Sequence, residues 1–200
     1  MIIGITGTMA AGKSSVSQII KDAGFTFYDT DKMVHDYYNQ TGSLYHEIID
    51  LLGNDIVNEN GDLNRKKIAE IVFSNQDKLK QLEALVFPQV MQDIQRLSKN
   101  QSLIFFEVPL LYEAGYSDFF DKVIVVDADE SLRIKRAVAK GIPEDEVIAR
   151  MARQMSAQEK RERGDYLIEN NHSLTELEEE VRDVLEIIKL ERSKEWIQIS

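Results

Sequence analysis

The chain has 200 residues, 43 % of them hydrophobic, and contains no cysteine. Its length suits one globular unit with small subdomains, and the lack of cysteine excludes disulfide frameworks and thiolate metal sites. A formal charge of −11 argues against a general binder of nucleic acids or anionic membranes.

The N-terminal region predicts a strand, a glycine-rich loop and a helix in succession. Ile2, Ile3 and Ile5 form a short β-branched run, which favours a buried parallel strand. Residues 7–15, GTMAAGKSS, match the phosphate-loop pattern G-x-x-x-x-G-K-[ST], and residues 16–23 carry apolar side chains at helical spacing. The sequence therefore predicts a polyphosphate site at a helix N-terminus, the alternative being a glycine-rich turn with no ligand.

Each residue type in this loop has a chemical reason. Gly7 and Gly12 let the backbone approach a phosphate more closely than a Cβ would allow. Lys13 would place its charge on the β- and γ-phosphates, and the Ser14 hydroxyl would be a ligand of Mg²⁺. Ser15 follows on the same helical turn.

Two carboxylates follow the second predicted strand, Phe25 to Tyr28. Asp29 and Asp31 stand just past its carboxyl end, where ligands bind in α/β proteins. Either residue could instead simply cap the next helix. His35, four residues after Asp31, would lie on the same side of that helix, as a ligand contact or as an ordinary surface residue.

Residues 44–97 have a helical pattern without intervening strands, interrupted by a turn at residues 58–61. Phe87 and Pro88 predict a further interruption of a helix. Such a segment suggests a helical insertion that holds a substrate. Arg65 stands at the start of one of its helices. It is a candidate for binding an anionic group of the acceptor, the alternative being that it is simply a solvated arginine.

Three further apolar runs complete the predicted parallel sheet. They cover residues 103–108, 122–126 and 165–168. Glu107 interrupts the first run, so its carboxylate needs a partner: a Mg²⁺-bound water near Ser14, or Lys13 or a backbone donor. Ser173 and Glu176 form a capping box for a final amphipathic helix, and the loop at 169–172 could border an adenine.

Residues 133–163 reverse the charge of the chain, with nine basic residues and five acidic ones. Two helical stretches flank Gly141 to Pro143, which predicts a helical hairpin able to close over phosphates. Cations around a transferred phosphoryl group stabilise the charge on its oxygens. The alternative is a solvated basic helix face.

Six segments resemble the dephospho-coenzyme A kinase family in order and spacing. They are GITGTMAAGKSS, DTDKMVH, LNRKKIAEIVF, EVPLLYE, RQMSAQEKR and GDYLIENN, and together they span most of the chain. The phosphate loop alone indicates only an NTPase, whereas its combination with the other segments is far more specific. The resemblance implies ATP-dependent phosphorylation of the ribose 3′-hydroxyl of dephospho-coenzyme A, giving coenzyme A and ADP, with Mg²⁺.

The resemblance also implies roles for individual residues. Asp31 would be the base or orienter of the hydroxyl, with Lys13 and Arg136 as further catalytic residues and Asn170 near adenine. The phosphates of ATP would be held by Ala10, Ala11, Gly12, Lys13, Ser14 and Ser15. The acceptor would be bound by Asp31, His35, Arg65 and Lys140, and Mg²⁺ by Ser14 with Glu107 through water.

Several positions depart from the usual pattern of this family. Lys140 keeps the charge of the more frequent arginine but loses its bidentate fork. No role is carried over to Phe87 or His172. The other departures are Ala10 and Ala11, where glycine and serine are common, and Glu107, which replaces an aspartate.

These observations together predict a P-loop NTPase-type α/β fold of three layers with a five-stranded parallel sheet. The nucleotide core would comprise residues 1–31, 101–132 and 164–200, the helical acceptor domain residues 32–100, and the lid residues 133–163. We expect a cytoplasmic enzyme whose partners are ATP and dephospho-coenzyme A, without nucleic acid or membrane. The alternatives are another small-molecule kinase or a nucleotide-binding switch. The lack of an N-K-x-D guanine motif in the chain argues against a switch of the GTPase kind.

Overall fold

The computed structural model describes the backbone of residues 1–199 and the side chains of residues 1–194. The chain forms two compact units, one comprising Met1–Tyr28 with Asn100–Ser200 and the other Asp29–Lys99. We call them the sheet unit and the helical unit.

A five-stranded parallel sheet organises the fold, as the sequence predicted. Its strand order is β2-β3-β1-β4-β5. The strands are β1 (Ile2–Gly7), β2 (Thr26–Asp29), β3 (Ile104–Glu107), β4 (Lys122–Asp127) and β5 (Tyr166–Glu169).

The register of the sheet brings the chemically important residues to one edge. Ile5 pairs with Glu107 of β3, and Gly7 pairs with Val126 of β4. The phosphate loop therefore leaves β1 beside the carboxyl ends of both neighbours. Because β3 and β4 lie on opposite sides of β1, this is the switch point at which doubly wound sheets bind ligands.

The core of the sheet unit explains why its apolar runs become strands. Ile3, Ile5, Phe105 and Ile124 are fully buried, and the apolar faces of the helices that follow β1 and β5 pack onto them. Burying such a side chain contributes about 1.5–3 kcal/mol. The sheet thus holds the start of the phosphate loop on a rigid base.

Nine α-helices lie within residues 1–199, and their starts follow capping residues visible in the sequence. Asn64 caps α4 through the Lys67 amide, and Ser173 and Glu176 form the predicted capping box of α9. None of these helices is both long and apolar enough to cross a lipid bilayer. They are α1 (Lys13–Asp22), α2 (Thr30–Tyr37), α3 (Tyr45–Leu52), α4 (Arg65–Ser74), α5 (Gln76–Ser98), α6 (Glu130–Ala139), α7 (Glu144–Met151), α8 (Ala157–Arg163) and α9 (Leu174–Ile199).

The predicted helix interruption at Phe87 and Pro88 is wrong. Helix α5 runs without a break from Gln76 to Ser98, with Pro88 inside it. Proline has no N–H to donate to the carbonyl of Ala84, which normally weakens a helix. Leu82 before the proline and Val90, Met91 and Ile94 after it are buried. Tertiary burial on both sides of Pro88 therefore outweighs the lost hydrogen bond.

Candidate phosphate-binding site

The loop between β1 and α1 adopts a conformation that opens the N-terminus of α1. Gly12 precedes the helix with a φ of 99°, and no side chain caps the first turn. Ala10 also has a positive φ, 61°. Left-handed backbone is costly for a residue with a Cβ, so Ala10 carries strain that a glycine would not.

Two glycines of the motif are required by close approaches. A Cβ on Gly7 would lie 2.1 Å from the carbonyl oxygen of Val126. A Cβ on Gly12 would lie 2.1 Å from Nδ2 of Asn170. The motif glycines therefore let the loop fit between β4 and the residue after β5, in addition to any role with a ligand.

The ammonium of Lys13 folds back over its own loop. Its Nζ donates to the carbonyl of Thr8 at 3.1 Å and to that of Gly7 at 3.4 Å. These contacts keep the charge at the mouth of the loop, where a phosphate would meet it. A ligand that binds Lys13 must therefore compete with these two carbonyls.

A cavity of about 590 Å³ opens over the loop. It gathers most of the residues that the sequence singled out in the sheet unit, including His172, to which no role was assigned. Three cations, Lys13, Arg136 and Lys140, face one carboxylate, Glu107. The predicted residues on the cavity wall are Ala10, Gly12, Lys13, Ser14, Ser15, Glu107, Arg136, Lys140, Asn170 and His172, joined by Ala139, Leu174 and Leu177.

The carbonyl of Ala11 ties the loop to two other elements. Ala11 itself is fully buried. Its oxygen accepts from Nδ2 of Asn170 at 2.8 Å and from Nη1 of Arg136 at 3.5 Å. Arg136 also donates to Oδ1 of Asn170 at 3.3 Å. Asn170 thus fixes the loop backbone, a structural contact that the adenine expectation did not include.

Glu107 has a partner that the sequence did not reveal. The hydroxyl of Ser17, one helical turn beyond Ser14, donates to Oε2 of Glu107 at 2.7 Å. Ser14 and Glu107 line the cavity, and a hydroxyl and a carboxylate are oxygen donors of the kind that Mg²⁺ prefers. Within the described residues, no group of three or more histidine, aspartate or glutamate side chains is placed so that it could hold a metal ion.

A buried charge network lies behind the loop. Asp127, at the end of β4, accepts from Thr8 Oγ1 at 2.6 Å and from Nε of Arg161 at 2.6 Å. Buried Arg133 lies 3.8 Å from the same carboxylate and donates to the Ala128 carbonyl. Burial by itself would raise the pKa of Asp127, but the hydrogen bonds from Thr8 and Arg161 outweigh it and hold the pKa below its usual value.

These contacts place five of the nine basic residues of segment 133–163 in two groups, and the other four, Lys135, Arg150, Arg153 and Arg163, are exposed. Arg136 and Lys140 line the cavity, whereas Arg133, Lys160 and Arg161 are held by protein partners. Arg133 and Lys160 are buried, so they are neither part of a solvated face nor on the wall of the cavity over the phosphate loop. The charge count of a segment does not reveal this division, because it depends on side chains supplied by β4 and by the loop after β3.

The remaining predicted site residues lie in the helical unit. Asp29 caps α2 by accepting from the amides of Asp31 and Lys32 at 3.0 and 3.3 Å, so Asp31 is not the cap. Nη1 of Arg65 lies 2.7 Å from Nδ1 of His35. A guanidinium can only donate, so Nδ1 accepts and the imidazole is held as the tautomer protonated on Nε2. The structure thus brings Arg65 and His35 together.

A family model described as dephospho-CoA kinase matches residues 1–176. This chain belongs to the dephospho-CoA kinase family. A dephospho-CoA kinase from Fusobacterium nucleatum is 38 % identical over 191 residues, which cover 94 % of this chain and 98 % of the relative.

Solved structures extend this family likeness to the fold. A dephospho-CoA kinase from Campylobacter jejuni is 26 % identical with a TM-score of 0.70, covering 94 % of this chain and 96 % of that one. A crystal structure of a protein from Thermus thermophilus is 34 % identical with a TM-score of 0.81, covering 92 % and 96 %. Both likenesses extend over more than nine tenths of each chain, so this chain shares its overall fold with both solved structures.

Proposed function

We propose that this chain is an ATP-dependent kinase that phosphorylates the ribose 3′-hydroxyl of dephospho-coenzyme A, giving coenzyme A and ADP. The observation that carries this function is the phosphate loop at the head of α1, facing a cavity lined by three cations, in a member of the dephospho-CoA kinase family. An uncapped helix N-terminus with nearby cations is a strong attractor for a polyphosphate.

ATP binds with its phosphates on residues 10–15. The amides at the head of α1 and the Lys13 ammonium receive the β- and γ-phosphates, while Arg136 and Lys140 approach them from the end of α6. Asn170 holds the loop through the Ala11 carbonyl. Because the loop is fixed by its neighbours before the nucleotide arrives, little ordering free energy is lost on binding.

Ser14 and Glu107 are the residues that would hold Mg²⁺, Ser14 directly and Glu107 through water. When bound, the ion neutralises charge that develops on the phosphates. Ser17 keeps the Glu107 carboxylate in one orientation by its hydrogen bond. Glu107 is one methylene longer than the aspartate more usual at this position, and the hydrogen bond from Ser17 holds this longer side chain in place.

The helical segment 32–100 binds the acceptor, with Arg65 and His35 contacting its anionic groups. Arg65 supplies the charge, and His35 restricts the guanidinium to one direction through Nδ1. Restricting an arginine before the ligand binds reduces the rotamer entropy lost on binding. Asp31 orients the 3′-hydroxyl and accepts its proton.

In the transfer step the 3′-oxygen forms a bond to the γ-phosphorus as the bond from that phosphorus to the β,γ-bridging oxygen breaks. The proton of the hydroxyl passes to Asp31, and ADP leaves with the bonding electrons. Since the transition state is loose, its charge is spread over the phosphoryl oxygens, and Lys13 and Arg136 stabilise it. Segment 133–163 acts as the lid that excludes water during this step.

The deciding experiment measures ATP turnover by the purified protein with and without dephospho-coenzyme A, and locates the new phosphate by NMR. We expect turnover that requires dephospho-coenzyme A and a product phosphorylated at the ribose 3′-position. Adenosine, a nucleoside monophosphate and a small metabolite alcohol such as shikimate serve as alternative acceptors, to test for another small-molecule kinase. Preferred phosphorylation of any of them, or hydrolysis of GTP without an acceptor, would contradict the proposed reaction.

The Lys13→Ala variant tests the role of the loop in the same assay. It removes the charge that meets the phosphates, so both ATP affinity and turnover should fall by two orders of magnitude or more. Lys189→Ala on α9 is the matched control, because its ammonium pairs with Glu186 and stacks over Phe25. Full activity of Lys13→Ala would remove the loop from the mechanism.

A further inference from the structure

One buried cation of the sheet unit is not used by the proposed mechanism. Lys160, on α8, has no exposed surface at all. A buried ammonium is costly unless a counter-charge and hydrogen-bond acceptors surround it. A fully buried lysine contributes neither to solubility nor to the charge of the protein surface, so its partners must explain why it is there.

The first partner of Lys160 is a carboxylate from the loop after β3. Its Nζ lies 2.8 Å from Oε1 of Glu113. The same carboxylate oxygen accepts from the amide of Met155 at 3.0 Å, just before α8 begins. Glu113 thus fixes both the lysine and the start of its helix, and the ammonium cannot easily move elsewhere.

The second partner of Lys160 is the phosphate loop itself. Its Nζ donates to the carbonyl of Gly7 at 3.4 Å. Lys13 donates to this same oxygen, also at 3.4 Å, and to the carbonyl of Thr8. Two ammonium groups from distant parts of the chain therefore share the first carbonyl of the loop.

This shared acceptor matters when a ligand binds. Lys13 must turn from the loop carbonyls to meet a phosphate, which withdraws a donor from the backbone oxygen of Gly7, a buried residue. A buried acceptor left without its donor costs about 1–3 kcal/mol. A second donor already on Gly7 removes much of that cost, and it also prevents the carbonyl from moving with the departing Lys13.

We propose that Lys160 is a positioning residue for the phosphate loop, a role that rests on the proposed function: it holds the Gly7 carbonyl so that Lys13 can leave it and bind the triphosphate. Lys160 contacts no substrate in this role. It acts through Lys13, and the pair with Glu113 keeps its charge compensated in both states.

The test is a double-mutant cycle between Lys160→Met and Lys13→Met, read as the dissociation constant of MgATP. Displacement of a fluorescent nucleotide extends the measurement to weak binding. We expect Lys160→Met alone to weaken MgATP binding about three- to tenfold, the loss of one hydrogen bond. In the Lys13→Met background the same change should alter binding less than twofold, because no Lys13 contact remains to be released.

Two controls separate positioning from a general structural effect. Adenosine has no phosphate, so its affinity should be unchanged in Lys160→Met. Lys135→Met removes an exposed lysine from α6 and should leave MgATP binding within twofold of the wild type. The whole series is repeated with Lys160→Gln, which keeps a polar end in the pocket, so that the test does not depend on the folding of the methionine variant.

Each outcome has one meaning. Equal losses in both Lys13 backgrounds, or a parallel loss of adenosine affinity, would show that Lys160 merely supports the structure and would overturn its positioning role. Unchanged MgATP binding in both Lys160 variants would overturn it as well. If the wild type phosphorylates dephospho-coenzyme A but the cycle shows no coupling between Lys160 and Lys13, the proposed function stands and only the positioning role is overturned. If the wild type binds no MgATP, both proposals are overturned.

Discussion

Thr8 Oγ1 lies 2.6 Å from Oδ1 of Asp127, and both side chains are almost completely buried. This hydrogen bond joins the start of the phosphate loop to the end of β4, where Arg161 also donates to the same carboxylate. The loop is therefore anchored by a charged group behind it, in addition to the glycines that shape it.

Replacement of Thr8 by valine should destabilise the protein. The two side chains have similar shape, but valine leaves one oxygen of a buried carboxylate without its donor. Hydrogen bonds to charged groups contribute about 1.5–3 kcal/mol, and we expect a loss of unfolding free energy of this size. Urea denaturation measures it, and Thr8→Ser, which restores the hydroxyl, should recover most of the loss.

The stability contributed by Asp127 should depend on pH. Its pKa in the folded protein is lowered, so its contribution is present above the ordinary pKa of about 3.9 and is lost as the pH falls through the lower, folded value. The unfolding free energy of the wild type should therefore exceed that of Asp127→Asn at pH 7, and the difference should shrink below about pH 4. A difference independent of pH between 3 and 7 would contradict this assignment.

Gly12→Ala should damage the site far more than Gly141→Ala. Both positions have a positive φ, 99° and 88°, so both variants carry the backbone strain of a left-handed alanine, about 1–2 kcal/mol. Only at Gly12 would the new Cβ also meet Asn170, at 2.1 Å, whereas nothing lies within 4 Å at Gly141. Denaturation and MgATP titration of the two variants should show that loss of nucleotide binding is confined to Gly12→Ala.

Asp31→Ala should lower turnover heavily while leaving ATP affinity close to normal. A residue that orients a hydroxyl and takes its proton commonly contributes about 10²–10⁴-fold in rate. Asp29, not Asp31, caps α2, so the helix should survive the substitution. Steady-state kinetics with dephospho-coenzyme A measure the effect, and Asp36→Ala on the same helix should retain activity. Normal turnover in Asp31→Ala would remove this residue from the mechanism.

Arg65→Met should raise the KM for dephospho-coenzyme A about ten- to a hundredfold, the loss of one charge-assisted contact to the acceptor. His35→Phe should raise the KM less, because it frees the guanidinium from the 2.7 Å contact with Nδ1 but keeps its charge. The KM for ATP should be unchanged in both variants. Lys66→Met, at the next position of α4, is the control. A change confined to the KM for ATP would contradict the assignment of Arg65 to the acceptor.

Local sequence patterns predicted most of the fold because local physics determines it. The apolar runs before Gly7 and Val108 become central strands since both of their faces are covered, and Ser173 begins α9 by its own hydrogen bonds. The interruption expected at Pro88 failed for the opposite reason. The proline predicted a break there, but the burial of apolar side chains of α5 on both sides of Pro88 outweighs the lost hydrogen bond.

The sequence by itself determined the phosphate loop, the order of the five strands along the chain and the family, because each depends on residues close together in the chain or on segments in fixed order. Only the tertiary structure decided which of the many charged residues act together. Lys160 beneath Gly7, Asp127 behind Thr8 and Ser17 on Glu107 are separated by 90 residues or more in the chain. Their contacts arise because parallel strands bring their carboxyl ends to one edge while α1 packs against β1 and α8 against β4. No spacing rule in a single sequence encodes that meeting.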